Sequence, residues 1–172
     1  LAAWRLARQR LWAGGLPEGR IVFLAGRGNN GGDALVMARQ CSLEGHRETA
    51  IVVSGDPPPE SLAALHLEIC RALGLQILRF PGEAPQVEEL LARAAWLVDG
   101  LAGTGLSGPA RPPLDVLIRL VNAAAAKTVA VDLPSGVGDA FRLGFPAVRA
   151  ELTLTIGLPK LCLYLPLARP FC

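Results

Sequence analysis

The amino-acid sequence predicts an α/β fold: a single doubly wound, mostly parallel sheet with helices on both faces, in three α/β/α layers. Two observations predict this class. Short, continuous apolar runs end in glycine or aspartate, as expected of strands buried on both faces of a sheet. Stretches with helical spacing separate these runs. Because neither a repeat nor a linker interrupts the alternation, we expect residues 1–172 to form one domain.

The first half of the chain alternates between helix and strand three times. Arginines punctuate the apolar residues at the start, which predicts an amphipathic helix. Glycine after an apolar run or a helix favours its end, and Ser61 is placed to cap a helix. In order, the elements are helix Leu1–Leu11, strand Ile21–Ala25, helix Asp33–Glu44, strand Ala50–Val53, a proline-rich loop over Ser54–Glu60, helix Ser61–Leu73 and strand Leu75–Phe80.

The second half repeats the alternation, and two of its apolar runs end in an aspartate. Prolines on both sides of Leu161–Tyr164 favour a short additional strand there. In order, the other elements are helix Pro85–Ala94, strand Trp96–Asp99, a loop over Gly100–Pro113, helix Leu114–Ala126, strand Thr128–Asp132, a loop over Leu133–Gly138 and strand Leu152–Ile156.

Composition and charge exclude several classes of protein. Hydrophobic residues make up 51% of the chain and the net charge is +2, which indicates a globular protein and disfavours binding to nucleic acid or an acidic membrane. The four cysteines lack the spacing of a zinc site, so we interpret them as reduced thiols of a cytoplasmic protein. No apolar run is long enough to span a bilayer, and the start lacks the apolar core of a signal peptide.

Three unusual loops each follow a strand, at Gly26–Asp33, Gly100–Pro113 and Leu133–Gly138. The carboxyl ends of parallel strands meet at one edge of the sheet, where such folds bind ligands. We therefore expect all three loops to surround one site.

The first loop has the spacing G-x-G-x-x-G between a strand and a helix, which is typical of dinucleotide binding. Its glycines would let the backbone approach a phosphate, and a helix that begins at Asp33 would supply free N–H groups. An ordinary dehydrogenase also has an acid at the end of the second strand, whereas here Asp56 lies beyond that end. Asn29, Asn30 and Asp33 add side-chain oxygens, although turn and cap chemistry also explains them.

The other two loops carry acids at strand ends. Gly103–Gly105 could wrap a second phosphate or form a flexible surface loop. The oxygen-bearing side chains of Asn30, Asp99 and Ser135 could converge on an alkali or alkaline-earth cation, since oxygen ligands do not favour zinc. Asp132 would then be free to move a proton.

Four segments, in this order, resemble the YjeF N-terminal domain family of NAD(P)H-hydrate epimerases: Ala25–Asp33, Asp99–Gly105, Val131–Gly136 and, more weakly, Ala150–Lys160. The Asn-Asn-Gly-Gly-Asp core is the most specific of them. The resemblance covers nearly the whole chain and implies a Rossmann-like fold. It also implies an isomerase that interconverts the R and S forms of NADH and NADPH hydrated at C6 of the nicotinamide ring.

The resemblance further implies the site and its partners. Asp132 would be the catalytic acid/base, and one potassium ion per subunit would lie on Asn30, Asp99 and Ser135. Lys160 is a weaker candidate for a nearby cation, and a solvated surface position is the preferred interpretation. A separate ADP- or ATP-dependent NAD(P)H-hydrate dehydratase would consume the S form. The dinucleotide substrate would contact Asn29, Asn30, Gly31, Gly32, Asp33, Gly103, Thr104, Gly105, Leu106, Ser107, Gly108, Pro109 and Asp132.

The sequence departs from the family pattern at several places. Ala34 stands where the family usually has glycine, and Gly138–Pro146 is short. The first helix and the end at Cys172 look truncated, and family dimers use N-terminal elements, so a homodimer is left open. The alternatives are a non-catalytic binding or scaffold module, as in RNA-processing relatives, and an ordinary NAD(P)-dependent oxidoreductase.

Overall fold

Six parallel strands form one sheet in the structure, a computed structural model that describes residues 2–172. The strands are β1 (Arg20–Ala25), β2 (Thr49–Val53), β3 (Gln76–Arg79), β4 (Ala94–Gly100), β5 (Lys127–Val131) and β6 (Leu152–Leu154). They lie in the order β3-β2-β1-β4-β5-β6, and all five neighbouring pairs are parallel. The chain order reverses between β1 and β4, which is where doubly wound folds open a ligand crevice.

Five α-helices within residues 2–172 cover the two faces of this sheet. They are α1 (Ala2–Arg10), α2 (Asn29–Leu43), α3 (Leu62–Ala72), α4 (Ala84–Ala92) and α5 (Leu114–Ala123). Alternate residues of β1 enter different cores: Phe23 packs with side chains of α1, α2 and α3, whereas Leu24 packs with side chains of α4 and α5. The predicted fold class is therefore confirmed. No helix within residues 2–172 is long and apolar enough to cross a membrane.

The predicted cap at Ser61 is confirmed, but α4 ends at Ala92 and α5 at Ala123, before the predicted ends at Ala94 and Ala126. The Ser61 hydroxyl accepts the Ala64 N–H at 3.1 Å, as a helix cap should. The predicted start of the second helix at Asp33 is wrong, because α2 begins at Asn29. Glycine disfavours a helix interior, yet a Cβ atom on Gly31 would lie 1.9 Å from the Gly26 carbonyl oxygen. Close packing of the first turn of α2 against the end of β1 thus requires glycine inside a helix.

The C-terminal part of the chain also differs from the prediction. Leu161–Tyr164 forms a 3₁₀ helix, so the strand predicted there is wrong. Its Cys162 packs with Leu133 and Phe141 in a third, smaller core beyond the end of the sheet, and this packing draws the segment away from β6. The predicted first helix is present from Ala2 onward, while Leu1 lies outside the described residues.

Candidate active site

A cavity of about 890 Å³ lies at the carboxyl ends of the strands, within the size range of small-molecule sites. Two of the three predicted loops line the cavity, together with Asp132, which directly precedes the third loop. The expectation that the loops surround one site is thus confirmed for the first two loops, whereas no residue of Leu133–Gly138 lines the cavity. The lining residues are Arg27, Gly28, Asn29, Asn30, Asp33, Ser54, Leu101, Ala102, Gly103, Thr104, Gly105, Leu106, Leu114, Asp132 and Ile156.

Several predicted ligand residues lie off the cavity wall. Gly31 and Gly32 are buried in the first turn of α2 and do not line the cavity, and neither does Ser107–Pro109. For Gly31 the structure supplies a different reason for glycine, namely the close approach to Gly26. Whether any of these residues contacts a ligand stays a prediction.

The first turn of α2 forms the central wall of the cavity. Gly28 is the N-cap and provides no side-chain cap, and the Gly32 N–H is bonded to the Gly28 carbonyl at 3.1 Å. The backbone N–H groups before Gly32 have no partner within the helix and can donate to an anion. The positive end of the helix dipole favours an anion at the same place. Asp33 follows in the wall, and burial raises the pKa of its carboxyl group. The uncapped start of the helix thus lies at Asn29 rather than at Asp33.

Asp99 lies behind this wall and is completely buried at the end of β4. Its Oδ1 accepts the Ser135 hydroxyl at 2.6 Å and the Leu101 N–H at 3.1 Å, and its Oδ2 accepts the Ser135 N–H at 2.7 Å. Burial nevertheless raises the pKa of Asp99 to about 6. The carboxylate is therefore firmly oriented but lacks a neighbouring positive charge in the hydrogen bonds that hold it.

Asn30 and Ser135 meet at the backbone of Ala102. The Asn30 Nδ2 donates to the Ala102 carbonyl at 3.0 Å, and the Ala102 N–H donates to the Ser135 hydroxyl at 2.8 Å. Asn30 Oδ1 is buried and has no hydrogen-bond partner among the described residues. An orphaned amide oxygen, a hydroxyl and a buried carboxylate in one place suit a hard cation such as potassium.

Asp132 occupies the other end of the cavity, directly after β5. Its φ is +67°, which makes it the one non-glycine residue with positive φ in the part of the chain that the structure describes. Such a conformation costs about 1–3 kcal/mol and is concentrated at functional sites. Oδ1 of Asp132 accepts the Ile156 N–H at 3.0 Å and also pairs with the Lys160 ammonium group.

Lys160 pairs with the cavity residue Asp132 and is not a solvated surface lysine, so the preferred interpretation from sequence was wrong. Its side chain is 24% exposed and that of Asp132 is 17% exposed. The ammonium group also donates to the Ile156 carbonyl at 2.7 Å. The chain turns back after β6 and carries Lys160 over the end of β5, a path that periodicity alone does not reveal.

Sequence reasoning also missed the cavity end next to β2. Arg27 and Ser54 line the cavity there. Asp56, the weak candidate for binding ribose, is exposed, pairs with Arg79 and does not line the cavity. The position of Arg27 between two loop glycines could have predicted its place in the cavity wall. A loop that approaches a phosphate can also bring a positively charged side chain close to it.

A family model described as the YjeF-related protein N-terminus matches residues 2–162. The chain is 38% identical over 158 residues to the bifunctional NAD(P)H-hydrate repair enzyme of Coxiella burnetii, covering 91% of this chain and 31% of that enzyme. It is 36% identical over 145 residues to the NAD(P)H-hydrate epimerase of Rhodopirellula baltica, covering 84% and 59%.

Two further comparisons agree with these matches. The NAD(P)H-hydrate epimerase of Pirellula staleyi is 31% identical over 159 residues, covering 90% of this chain and 70% of that enzyme. The crystal structure of yeast ynu0 superimposes with a TM-score of 0.77 at 22% identity, covering 93% of this chain and 68% of the yeast chain, and supports the fold. The chain thus spans under two thirds of the Coxiella and Rhodopirellula relatives.

Proposed function

The chain belongs to the YjeF-related N-terminal family, and on this premise we propose that it is an isomerase that interconverts the R and S hydrates of NADH and NADPH. The observation that carries the proposal is the position of Asp132. A strained, partly buried carboxylate faces one end of a cavity whose centre is a helix N-terminus without a side-chain cap. Two of the relatives are named NAD(P)H-hydrate epimerases, which supports the same activity.

The dinucleotide would lie along the carboxyl edge of the sheet. Its pyrophosphate would accept hydrogen bonds from the backbone N–H groups at the start of α2, near Asn29. Gly103–Gly105 of the next loop would cover the pyrophosphate from the other side. The nicotinamide half would then lie toward β5 and β6, where Asp132 and Ile156 line the cavity. The apolar Ile156 and Leu106 side chains would cover the ring, because a nicotinamide needs an apolar wall beside its polar contacts.

Asp132 would act as acid and base in turn. In one route it gives a proton to the C6 hydroxyl, which leaves as water, and C6 becomes planar; a water molecule then adds to the opposite face and returns the proton. Ring opening and closure at C6 would reach the same result. Either route leaves the atoms of the substrate unchanged, so one carboxyl group suffices. Lys160 would hold this carboxyl group in place through its ion pair.

A potassium ion fits the cluster behind α2, where it would be held by Asn30, Asp99 and Ser135. The ion would supply positive charge next to the buried Asp99 carboxylate and a partner for the orphaned Asn30 oxygen. These residues bind the two glycine loops to each other through Ala102. They would therefore keep the phosphate wall rigid.

We further propose that the enzyme is cytoplasmic and works with a separate ADP- or ATP-dependent NAD(P)H-hydrate dehydratase. The match to part of a bifunctional repair enzyme supports a functional link between epimerisation and a second repair activity. A homodimer remains a proposal for solution measurement.

A coupled assay tests the activity. Purified (R)-NADH hydrate is incubated with an S-specific dehydratase and its nucleotide, and NADH absorbance at 340 nm (a property of the reduced ring) is followed with and without this protein. We expect the protein to accelerate recovery of the R form well beyond its spontaneous epimerisation. Recovery at the spontaneous rate would reject the enzyme and favour the non-catalytic binding module.

A further inference from the structure

Arg27 lies at the end of the cavity opposite Asp132. It follows β1, lines the cavity with Ser54, and has an exposed side chain. In the sheet, β2 and β5 lie on opposite sides of the β1–β4 crevice. A dinucleotide with its nicotinamide at Asp132 and its pyrophosphate at the start of α2 would therefore extend its adenosine half toward Arg27 and Ser54.

The arginine side chain is held in place from one side. Its Nε donates to the Asp56 carbonyl at 3.0 Å. Its stem lies against Gly55, where an added Cβ would come within 2.9 Å of Cδ and 3.0 Å of Cγ. Neither terminal nitrogen of Arg27 makes a hydrogen bond to any of residues 2–172. The guanidinium group is thus oriented through Nε while its other donors are available to a ligand.

The positive charge of Arg27 is not compensated by an ion pair among the described residues. Asp56, the carboxylate beside it, pairs with Arg79, and the nearby Arg71 pairs with Glu68. None of the ion pairs among the described residues includes Arg27. The end of β2 also carries Ser54 in the place where an acid would bind the hydroxyl of an unphosphorylated ribose.

We propose that Arg27 and Ser54 form a subsite for the 2′-phosphate of a phosphorylated dinucleotide, so that the protein selects the hydrate of NADPH over that of NADH. In doubly wound folds an acid near the second strand selects the free ribose, whereas an arginine accommodates the 2′-phosphate. A guanidinium group suits this role because its planar donors match two phosphate oxygens. The inference rests on the proposed function only in that the cavity binds a nicotinamide dinucleotide.

The test measures binding of NADP⁺ and NAD⁺, which differ only in the 2′-phosphate, by calorimetry at fixed ionic strength. We expect NADP⁺ to bind at least about ten-fold more tightly, the scale of one charge-assisted contact. R27Q should remove most of this preference without weakening NAD⁺, and R27K should retain part of it. R71Q is the matched control, since it removes the same charge from a paired arginine outside the cavity and should preserve the preference.

Each result decides the inference separately from the proposed function. Equal affinity for both nucleotides, no binding of either one, or equal weakening of both in R27Q would overturn the subsite. If NADP⁺ is preferred and R27Q abolishes that preference, the subsite stands even when the coupled assay shows no epimerisation. With activity present, R27Q should lower kcat/KM for NADPH hydrate about ten-fold and leave that for NADH hydrate unchanged.

Discussion

The centre of the cavity presents backbone groups, whereas the β5–β6 end presents charged side chains. At the centre, the start of α2 presents backbone N–H groups, and glycine is required because a Cβ on Gly31 would collide with the Gly26 carbonyl. At the β5–β6 end, an ion pair between Asp132 and Lys160 is held over a strained backbone. One region relies on the absence of side chains and the other on two charged ones.

This difference separates binding from chemistry. Backbone N–H groups and a helix dipole attract a phosphate in every state of the reaction, so they contribute to affinity. A carboxyl group that gives and takes a proton contributes only when a bond changes. Substitutions at the two regions should therefore alter different constants.

Asp132→Asn should remove nearly all catalysis. An amide cannot exchange the proton, so we expect kcat for hydrate epimerisation to fall by about 10²- to 10⁴-fold. The dissociation constant for NADP⁺ should change little, because the phosphates bind elsewhere. Both constants can be measured on one preparation by coupled kinetics and calorimetry.

Asp139→Asn is the matched control for this variant, since Asp139 is exposed and lies outside the cavity wall. Full activity in D132N would place the proton transfer on another group. If NADP⁺ affinity in D132N falls by the same factor as kcat, binding and chemistry do not belong to separate regions of the cavity.

Gly31→Ala should act on binding and stability together. The added methyl group would lie 1.9 Å from the Gly26 oxygen, so the first turn of α2 must shift. We expect a free energy of unfolding lower by about 1–3 kcal/mol and NADP⁺ affinity reduced about ten-fold or more.

Gly14→Ala is the matched control, because nothing lies within 4 Å of its added Cβ, its φ lies outside the left-handed region and it does not line the cavity. Urea unfolding and calorimetry distinguish the two variants. If G31A and G14A behave alike, close packing is not the reason for glycine at position 31.

Lys160→Met should reduce kcat about ten-fold and leave NADP⁺ affinity close to that of the parent, since Lys160 orients Asp132 and contacts no phosphate site. In a double-mutant cycle, K160M should have little further effect when D132N is present. Lys127→Met tests the other lysine of the chain, at the opposite end of β5. Additive effects of K160M and D132N would show that the two residues act independently.

Replacing lithium with potassium at constant ionic strength should raise the melting temperature by a few degrees, the expected scale for an ion that binds the folded state by about 1 kcal/mol. The ion would compensate the buried Asp99 carboxylate. Asp99→Asn should remove the difference between the salts. Identical melting curves for the parent protein in the two salts would argue against the cation site.

The sequence predicted the features that depend on short-range pattern. The strand at Ile21–Ala25 was predictable because a fully buried parallel strand reads as a continuous apolar run. The start of α2 was not predictable from sequence, because glycine disfavours a helix. Tertiary packing places Gly31 and Gly32 inside the first turn of α2.

The ion pair was beyond sequence reasoning for a different reason. Lys160 follows Asp132 by 28 residues and is the N-cap of a 3₁₀ helix that lies where a strand was expected. The local spacing of the glycines predicts a phosphate site. Asp132 and Lys160, in contrast, come into contact only after the chain has folded back over β5.

The most direct measurement follows pure (R)-NADPH hydrate by chromatography that separates the R and S forms, in potassium buffer with the purified protein. A dinucleotide cavity with Asp132 at its reactive end predicts that the S form accumulates to equilibrium at least about 100-fold faster than it does spontaneously. Excess NADP⁺ should slow this conversion by occupying the same cavity. Conversion at the spontaneous rate, by a protein that binds NADP⁺, would contradict the proposed function.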